Sequence, residues 1–126
     1  MRELLEETAR RAITYLEELD LRAVAPSPEA VKALEALAGP LPETPTDPAD
    51  VLQAIDEYGS PATMALAGPR FFGFVIGGVL PAALAASWLA AAWDQNTFAE
   101  KITPATAKME ETALRWLLEL FGLPPN

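Results

Sequence analysis

The sequence predicts an all-α fold, a small helical bundle whose connectors are rich in proline and glycine. Three observations support this fold class. Apolar residues recur at three- and four-residue spacing along most of the chain, as they do on one face of an α-helix. Proline stands at the first position of several of these segments, where a helix tolerates it, and glycine or proline follows their ends. No alternating pattern indicates a pair of strands.

The first helix is predicted over residues 1–20, with acidic residues near its start that suit the helix dipole. Its apolar stripe comprises Leu5, Ala9, Ala12, Ile13, Leu16 and Leu19. On the same segment, Arg10 and Arg11 are interpreted as a solvated face. Tyr15, like Tyr58 further along the chain, is a candidate for a hydrogen bond across a groove.

Two shorter helices follow. Ser27 caps the first of them, with Pro28 at its first position, and this helix stops near Gly39. Residues 39–48 form a connector that contains Pro40, Pro42, Pro45 and Pro48. Asp47 then caps a helix that runs to about Tyr58, and its buried face is predicted to comprise Val51, Leu52 and Ile55.

The last two helices are predicted over Pro81 to Trp93 and, after a Thr103 cap, over Pro104 to Phe121. Gly122 is a suitable C-terminal residue for the last helix. Both helices are apolar on nearly all sides, so we expect burial on two sides and an intertwined homodimer. The predicted organisation is a single helical domain, residues 1–126, with an N-terminal helical arm (1–38), a proline-rich connector (39–48) and an apolar helical core (49–126).

Residues 71–93 contain no charged side chain, although 21% of the chain is charged. A membrane would cover such a run only if it were one continuous helix. Gly73, Gly77, Gly78 and Pro81 interrupt it. The uninterrupted part, Pro81 to Trp93, covers roughly 20 Å, short of a hydrocarbon core of about 30 Å. We therefore expect protein, and no membrane, to cover this run.

Composition excludes other classes of partner. The net charge of −9 disfavours nucleic acid and anionic membrane surfaces, both of which require clustered Lys and Arg. The chain has no cysteine, which excludes disulfides and favours the cytoplasm. It also has no histidine, the commonest general base and transition-metal ligand, so no metal site is predicted.

Three blocks, taken in order, resemble a known family. They read GPRFFGF, LPAALAASWLAAAWDQN and ITPATAKMEETALRWLLELFGLP. In this order they are similar to the N-terminal region of group II pyridoxal-phosphate-dependent decarboxylases, which include the aromatic-amino-acid and glutamate decarboxylases. The similarity is strongest over Gly68 to Pro124, and the stretch from Arg22 to Pro42 fits more weakly.

The resemblance implies that this segment is a helical arm that wraps a neighbouring subunit and helps to form a dimer. In the family a large downstream αβ domain holds the cofactor, through a Schiff-base lysine and a histidine stacked on its ring. This chain ends about where that domain would begin, so the resemblance implies a truncated decarboxylase. Lys32, Lys101 and Lys108 are its only lysines, and none lies in the family's lysine motif. We therefore predict no cofactor and an association module without decarboxylase activity.

The resemblance also assigns a substrate pocket for a small apolar or aromatic ligand. The family's aromatic stretch lines this pocket, and the loop before the last helix reaches the partner subunit's site. The positions that match are Phe71, Phe72, Phe74, Val75, Asn96 and Phe98.

A second hypothesis is a small stand-alone enzyme with promiscuous ester or phosphoester hydrolase activity, or with amine catalysis, in an aromatic pocket. Aromatic walls that desolvate Lys101 would lower its pKa and make it a nucleophile or base. The carboxylates of Asp94 and Glu100 would serve as general bases, or would hold a hard cation weakly. Alternatively, the same residues form a solvated loop beside a helix cap and have no catalytic role.

Overall fold

The computed structural model describes residues 1–97 and 100–125, and over these residues the protein is all-α, as predicted. The described residues contain no strand. Within these ranges the five α-helices are α1 (Arg2–Glu17), α2 (Pro28–Ala33), α3 (Pro48–Ala54), α4 (Pro81–Trp93) and α5 (Pro104–Leu120). A 3-10 turn at Leu34–Leu37 continues α2. None of the helices described here is long and apolar enough to cross a membrane.

The helix starts follow the predicted caps. The Ser27 hydroxyl accepts a hydrogen bond from the Ala30 N–H at 3.1 Å, and the Asp47 carboxylate accepts one from the Ala49 N–H at 2.8 Å. Four of the five helices have proline in their first turn, where its missing N–H would have no partner in any case. Thr103 occupies the predicted N-cap position of α5, although its side chain forms no capping hydrogen bond to the helix.

The end of α5 also follows its predicted glycine. Gly122 has a φ of +63°, a left-handed conformation that glycine adopts without steric cost. The Leu123 N–H donates to the Leu118 carbonyl at 2.9 Å, and the Gly122 N–H donates to the Glu119 carbonyl at 3.2 Å. This pair of hydrogen bonds is a Schellman motif, which satisfies carbonyls that a helix end otherwise leaves open.

The third helix departs from its prediction. It is α-helical only to Ala54, and a π turn at Ile55–Gly59 and a 3-10 turn at Ser60–Ala62 complete it. The face predicted to be buried is largely open, since Val51 and Ile55 are 44% and 54% exposed. Local spacing does not predict this change of helical register, and Asp56 within the π turn pairs with Arg11, which is 45 residues away in the sequence.

The chain divides into two compact units, an N-terminal unit (Met1–Gly78) and a C-terminal unit (Val79–Asn126). The N-terminal unit holds α1 to α3, and α1 contacts α3 there. Its most buried apolar residues are Leu19 and Ala65. Gly68 lies against both, since a Cβ there would stand 3.2 Å from the Ala65 carbonyl oxygen and 3.6 Å from that of Leu19. The single domain with three segments stays a prediction.

Candidate functional site

The aromatic turn, which we define as residues 71–75, lies in the N-terminal unit. Phe72 and Phe74 are 91% and 82% exposed, and Val75 is fully exposed. Phe71 is half-buried, and its ring centroid lies 6.3 Å from that of Phe74, with the planes tilted by 35°. The turn therefore presents two aromatic rings and a branched aliphatic side chain to solvent.

The backbone of the aromatic turn is unusual. Phe74 and Val75 have φ angles of 56° and 55°, in the left-handed region. For residues other than glycine this conformation costs roughly 1–2 kcal/mol each, and a β-branched residue is a genuine outlier there. A Cβ at Gly73 would stand 3.0 Å from Cζ of Phe71, so glycine allows the Phe71 ring to fold over the turn.

The predicted substrate-pocket residues do not all fall in one unit. Phe71, Phe72, Phe74 and Val75 belong to the N-terminal unit, where chain continuity brings them together. Asn96 is exposed and belongs to the C-terminal unit. Phe98 lies outside the described residues.

The predicted catalytic residues lie at the end of α4 and before α5. Asp94 is the C-cap of α4, with a left-handed φ of 48°, and its N–H donates to the Ala90 carbonyl at 3.2 Å. Asp94, Glu100 and Lys101 are all exposed to solvent. Within the described part of the chain, no three potential metal-ligating side chains gather into a group that could hold an ion. The catalytic roles of these three residues stay a prediction.

A cluster in the N-terminal unit was not predicted. Nη1 of Arg11 donates to Oδ2 of Asp56 at 2.7 Å and joins α1 to the π turn. Nε of Arg11 lies 2.8 Å from Oε1 of Glu7 as an ion pair, but among the described residues this N–H forms no well-aligned hydrogen bond. The Arg11 side chain is only 25% exposed, so its interpretation as a solvated residue is wrong. The interpretation as a solvated residue holds for Arg10, whose side chain is 63% exposed.

Tyr15 and Arg22 extend this cluster. The hydroxyls of Tyr15 and Thr63 lie 2.9 Å apart, which confirms the predicted hydrogen bond for Tyr15. The Arg22 guanidinium lies 4.5 Å from the centroid of the Tyr15 ring and donates to the Ser60 carbonyl. A cation over a tyrosine ring at this distance is attracted by its π face. We call Arg11, Tyr15, Arg22, Asp56 and Thr63 the polar clasp.

The polar clasp borders a cleft of about 240 Å³. The hydrogen bond that Arg11 donates to the Asp56 carboxylate raises the pKa of Arg11 further above its usual range, so this guanidinium stays charged. The guanidinium groups of Arg11 and Arg22 are engaged by partners within the chain. The clasp is therefore suited to holding helices together. Local sequence patterns could not reveal it, because 45 residues separate Arg11 from Asp56.

Comparison with known proteins identifies a family. The sequence model described as "Pyridoxal-dependent decarboxylase conserved domain" matches residues 28–126, which is more than half of the chain. No curated protein matches significantly. No solved structure does so either. The matched range includes the aromatic turn, α4 and α5. The chain therefore belongs to the pyridoxal-dependent decarboxylase family.

Proposed function

We propose that this chain is the helical segment through which a pyridoxal-phosphate-dependent decarboxylase forms a dimer and completes its substrate pocket. The observation that carries the proposal is the aromatic turn, which exposes Phe72, Phe74 and Val75 almost completely. Contiguous apolar groups exposed in this way are typical of sites that a ligand or another chain covers. Membership of the decarboxylase family supports the same role.

The backbone of the turn supports a functional role. A relaxed chain would avoid two successive left-handed residues, and such outliers concentrate at ligand clamps and active sites. We propose that Phe74 and Val75 are held outward so that they meet the substrate or the second subunit. Asn96 and Phe98 reach the partner subunit's pocket in the same proposal, as the family resemblance implies.

The C-terminal unit supports dimerisation. On α4, Trp88, Leu89 and Trp93 are 44–53% exposed, and on α5, Trp116 and Leu120 are 64% and 76% exposed. Large apolar side chains on both helices need cover, and an interface that buries well over about 1,200 Å² in total would provide it. We infer that a second copy of the chain provides this cover.

We also propose that the chain does not hold pyridoxal phosphate by itself. Lys32, Lys101 and Lys108 are exposed, and Lys108 is paired with Glu111 at 2.7 Å. The sequence has no histidine to stack on the cofactor ring. These residues do not fit the cofactor. The lack of cysteine supports a cytoplasmic location.

The test is sedimentation equilibrium of the chain and of the double variant Phe72→Ser/Phe74→Ser. We expect a dimer for the parent and association weakened at least about tenfold, or 1.4 kcal/mol, for the variant, because two apolar anchors are lost. Leu41→Ser is the matched control, since Leu41 is 92% exposed but lies outside the turn. A monomeric parent, or equal effects of the variant and the control, would contradict the proposal.

A second measurement tests the pocket and the cofactor. Titration with phenylalanine, followed by NMR, should shift the signals of residues 71–75, and the double variant should lose these shifts. Shifts spread evenly over the chain would contradict the pocket. Addition of pyridoxal phosphate should give no stoichiometric visible absorbance band. A band that is lost only in Lys101→Ala would contradict the proposal and favour amine catalysis.

A further inference from the structure

The aromatic turn lies within a loop that closes on itself, which we define as residues 67–78 and call the closed loop. At its end, a Cβ added to Gly78 would stand 3.3 Å from the Ala67 carbonyl oxygen, so the backbone at Gly78 lies against the start of the loop. Between these two points the loop contains the whole aromatic turn, with Phe72 and Phe74 almost fully exposed. The direction of the two rings therefore depends on how the base of the loop is held.

The aromatic turn has only long hydrogen bonds of its own. Among the described residues its backbone hydrogen bonds are local, from the Phe71 N–H to the Gly68 carbonyl at 3.3 Å and from the Ile76 N–H to the Gly73 carbonyl at 3.4 Å. Both are longer than the usual distance of about 2.9 Å. A left-handed backbone at two successive non-glycine residues persists only where the surroundings hold it. The turn therefore needs an anchor outside itself.

Arg70, the residue before the turn, provides such an anchor. Its Nη2 donates to the Asp20 carbonyl at 3.0 Å and also to the Arg22 carbonyl. One Nη atom of arginine carries two hydrogens, so it can donate to both carbonyls at once. The two acceptors are 50 and 48 residues away from Arg70 in the sequence. These contacts therefore tie the base of the closed loop to the segment that follows α1.

The carbonyls that Arg70 contacts are open to a side-chain donor because α1 has already ended. The helix stops at Glu17, so the carbonyls of Asp20 and Arg22 lie outside its hydrogen-bond ladder and require other donors. A single hydrogen bond would let the loop pivot about it. Two hydrogen bonds to different residues fix the loop against this segment in one orientation.

The polar clasp holds the segment that accepts these hydrogen bonds. The Arg22 guanidinium lies 4.5 Å from the centroid of the Tyr15 ring and donates to the Ser60 carbonyl. Arg22 is thus held at its side chain by the clasp and at its carbonyl by Arg70. Contacts therefore continue without a gap from α1 to the base of the closed loop.

We propose that Arg70 is the positioning residue of the aromatic turn. Its guanidinium holds the turn against the segment after α1, so that Phe72 and Phe74 are presented in one direction to an aromatic substrate. Without this bridge the left-handed backbone relaxes and the rings lose their fixed direction, although the fold around the loop remains. The identity of the ligand rests on the proposed function, whereas the ordering of the turn within one chain does not.

Arg70→Met tests the bridge, because methionine keeps an unbranched stem and removes the donors. Chymotrypsin cleavage after Phe72 and Phe74 is measured at submicromolar concentration, where association contributes least. We expect the variant to be cleaved at least about fivefold faster, since a relaxed loop enters a protease more readily. Its melting temperature should change little, because Arg70 is exposed. Arg10→Met is the matched control. It removes the same charge from a side chain that is 63% exposed on α1, and it should leave the cleavage rate unchanged.

Rescue and backbone geometry distinguish positioning from a general loss of structure. Arg70→Lys, which keeps donors on a shorter side chain, should be cleaved at an intermediate rate. The HN–Hα couplings of Phe74 and Val75, which depend on φ, should change in Arg70→Met and return toward the parent values in Arg70→Lys. Unchanged cleavage and couplings in Arg70→Met would overturn the proposal. A lysine variant no better than the methionine variant would also count against it, as would a large fall in melting temperature, because Arg70 would then hold the whole unit.

Titration with phenylalanine separates this proposal from the proposed function. Arg70→Met should weaken phenylalanine binding at least about threefold, because a disordered turn must be ordered on binding, and Arg70→Lys should weaken it less. If phenylalanine shifts no signals of the parent while cleavage follows the expected order, the substrate pocket fails and the positioning role stands. If the parent and Arg70→Met bind phenylalanine equally and are cleaved at the same rate, the positioning role fails and the proposed function stands.

Discussion

In the N-terminal unit, side chains that are far apart in sequence bind one another, as Arg11 binds Asp56 and Tyr15 binds Thr63. In the C-terminal unit, the described side-chain contacts include Lys108 with Glu111 and the Thr112 hydroxyl with the Lys108 carbonyl, three and four residues apart. The first kind of contact fixes the position of one helix against another. The second kind stabilises a single helix but does not determine which other helices pack against it.

This difference indicates where each unit obtains its stability. The N-terminal unit orders its helices with charged and hydroxyl groups of its own chain. The C-terminal unit has two helices with large exposed apolar residues, such as Trp116 and Leu120. Apolar surface of this kind is stabilised by an added chain, so the stability of the C-terminal unit should depend on protein concentration more strongly than that of the N-terminal unit.

The largest expected effect concerns association through the C-terminal unit. Trp116→Ala should weaken the dimer by about 2 kcal/mol, roughly 30-fold, because large aromatic side chains dominate interface energetics. The dissociation constant is measured by sedimentation equilibrium. The neighbouring Arg115→Ala, on the polar side of α5, should change it less than about threefold. Equal effects at the two positions would show that α5 does not associate through this face.

The next effect concerns the polar clasp. Arg11→Ala should lower the free energy of unfolding, since it removes a charged hydrogen bond and leaves the Asp56 carboxylate part-buried without this partner. Arg10→Ala should lower it less than Arg11→Ala does, because the Arg10 side chain is mostly exposed. Urea denaturation followed by circular dichroism measures both. If Arg10→Ala proves the more destabilising, the N-terminal unit is not held as described.

A close backbone approach gives a third test. Gly68→Ala should destabilise the N-terminal unit by about 1 kcal/mol, because the new Cβ would stand 3.2 Å from the Ala65 carbonyl oxygen. Gly39→Ala is the control, since a Cβ there meets no atom within 4 Å in the described structure. The control should be neutral or slightly stabilising. Thermal unfolding compares the two, and a more stable Gly68→Ala would contradict this packing.

The aromatic turn predicts a gain in stability. Val75→Asn should stabilise the chain by about 0.5–1 kcal/mol, because asparagine tolerates a positive φ better than a β-branched residue does. Val79→Asn, which has the same change of side chain but no left-handed backbone, should give no such gain. Chemical denaturation of the two variants tests this. A loss of stability at position 75 would mean that Val75 packs more tightly than its exposure indicates.

The smallest effect concerns two carboxylates. Hydrogen bonding from Arg10 lowers the pKa of Glu7 below its usual 4.5, and hydrogen bonding from Lys108 lowers that of Glu111. A lowered pKa in the folded state adds stability above the unfolded value, and this stability is lost as the pH falls through the folded value. NMR titration should show the Glu7 pKa rising in Arg10→Ala and the Glu111 pKa rising in Lys108→Ala. Neither variant should move the other glutamate.

Local chemistry made the helix boundaries predictable. Ser27 and Asp47 use their side chains as caps, and Gly122 adopts the left-handed backbone that its residue type favours. Each of these features depends on residues within about one turn of the boundary, so the sequence displays it directly. The candidate pocket positions came from the family resemblance, and the structure adds that the aromatic turn is exposed.

Long-range features were not predictable from local patterns. The pairing of Arg11 with Asp56 and the π turn that presents Asp56 depend on which helices meet, and hydrophobic periodicity carries no such information. Periodicity assigns an apolar face to the core by default, and in the first helix this is right for Leu19 but not for Leu5 and Ile13, which are largely exposed. The left-handed backbone at Phe74 and Val75 opposes the preference of both residue types.

The half-exposed position of the polar clasp has a consequence for how relatives of this chain diverge. Sites with partial exposure ordinarily drift one at a time, since single surface changes have small effects. Positions 11 and 56 should instead change together among relatives, with a cation opposite an anion or with both charges lost, while position 10 varies independently. Ancestral reconstruction would then place the two replacements on the same branch of the tree. Positions 11 and 56 would therefore co-vary although they are far apart in the sequence.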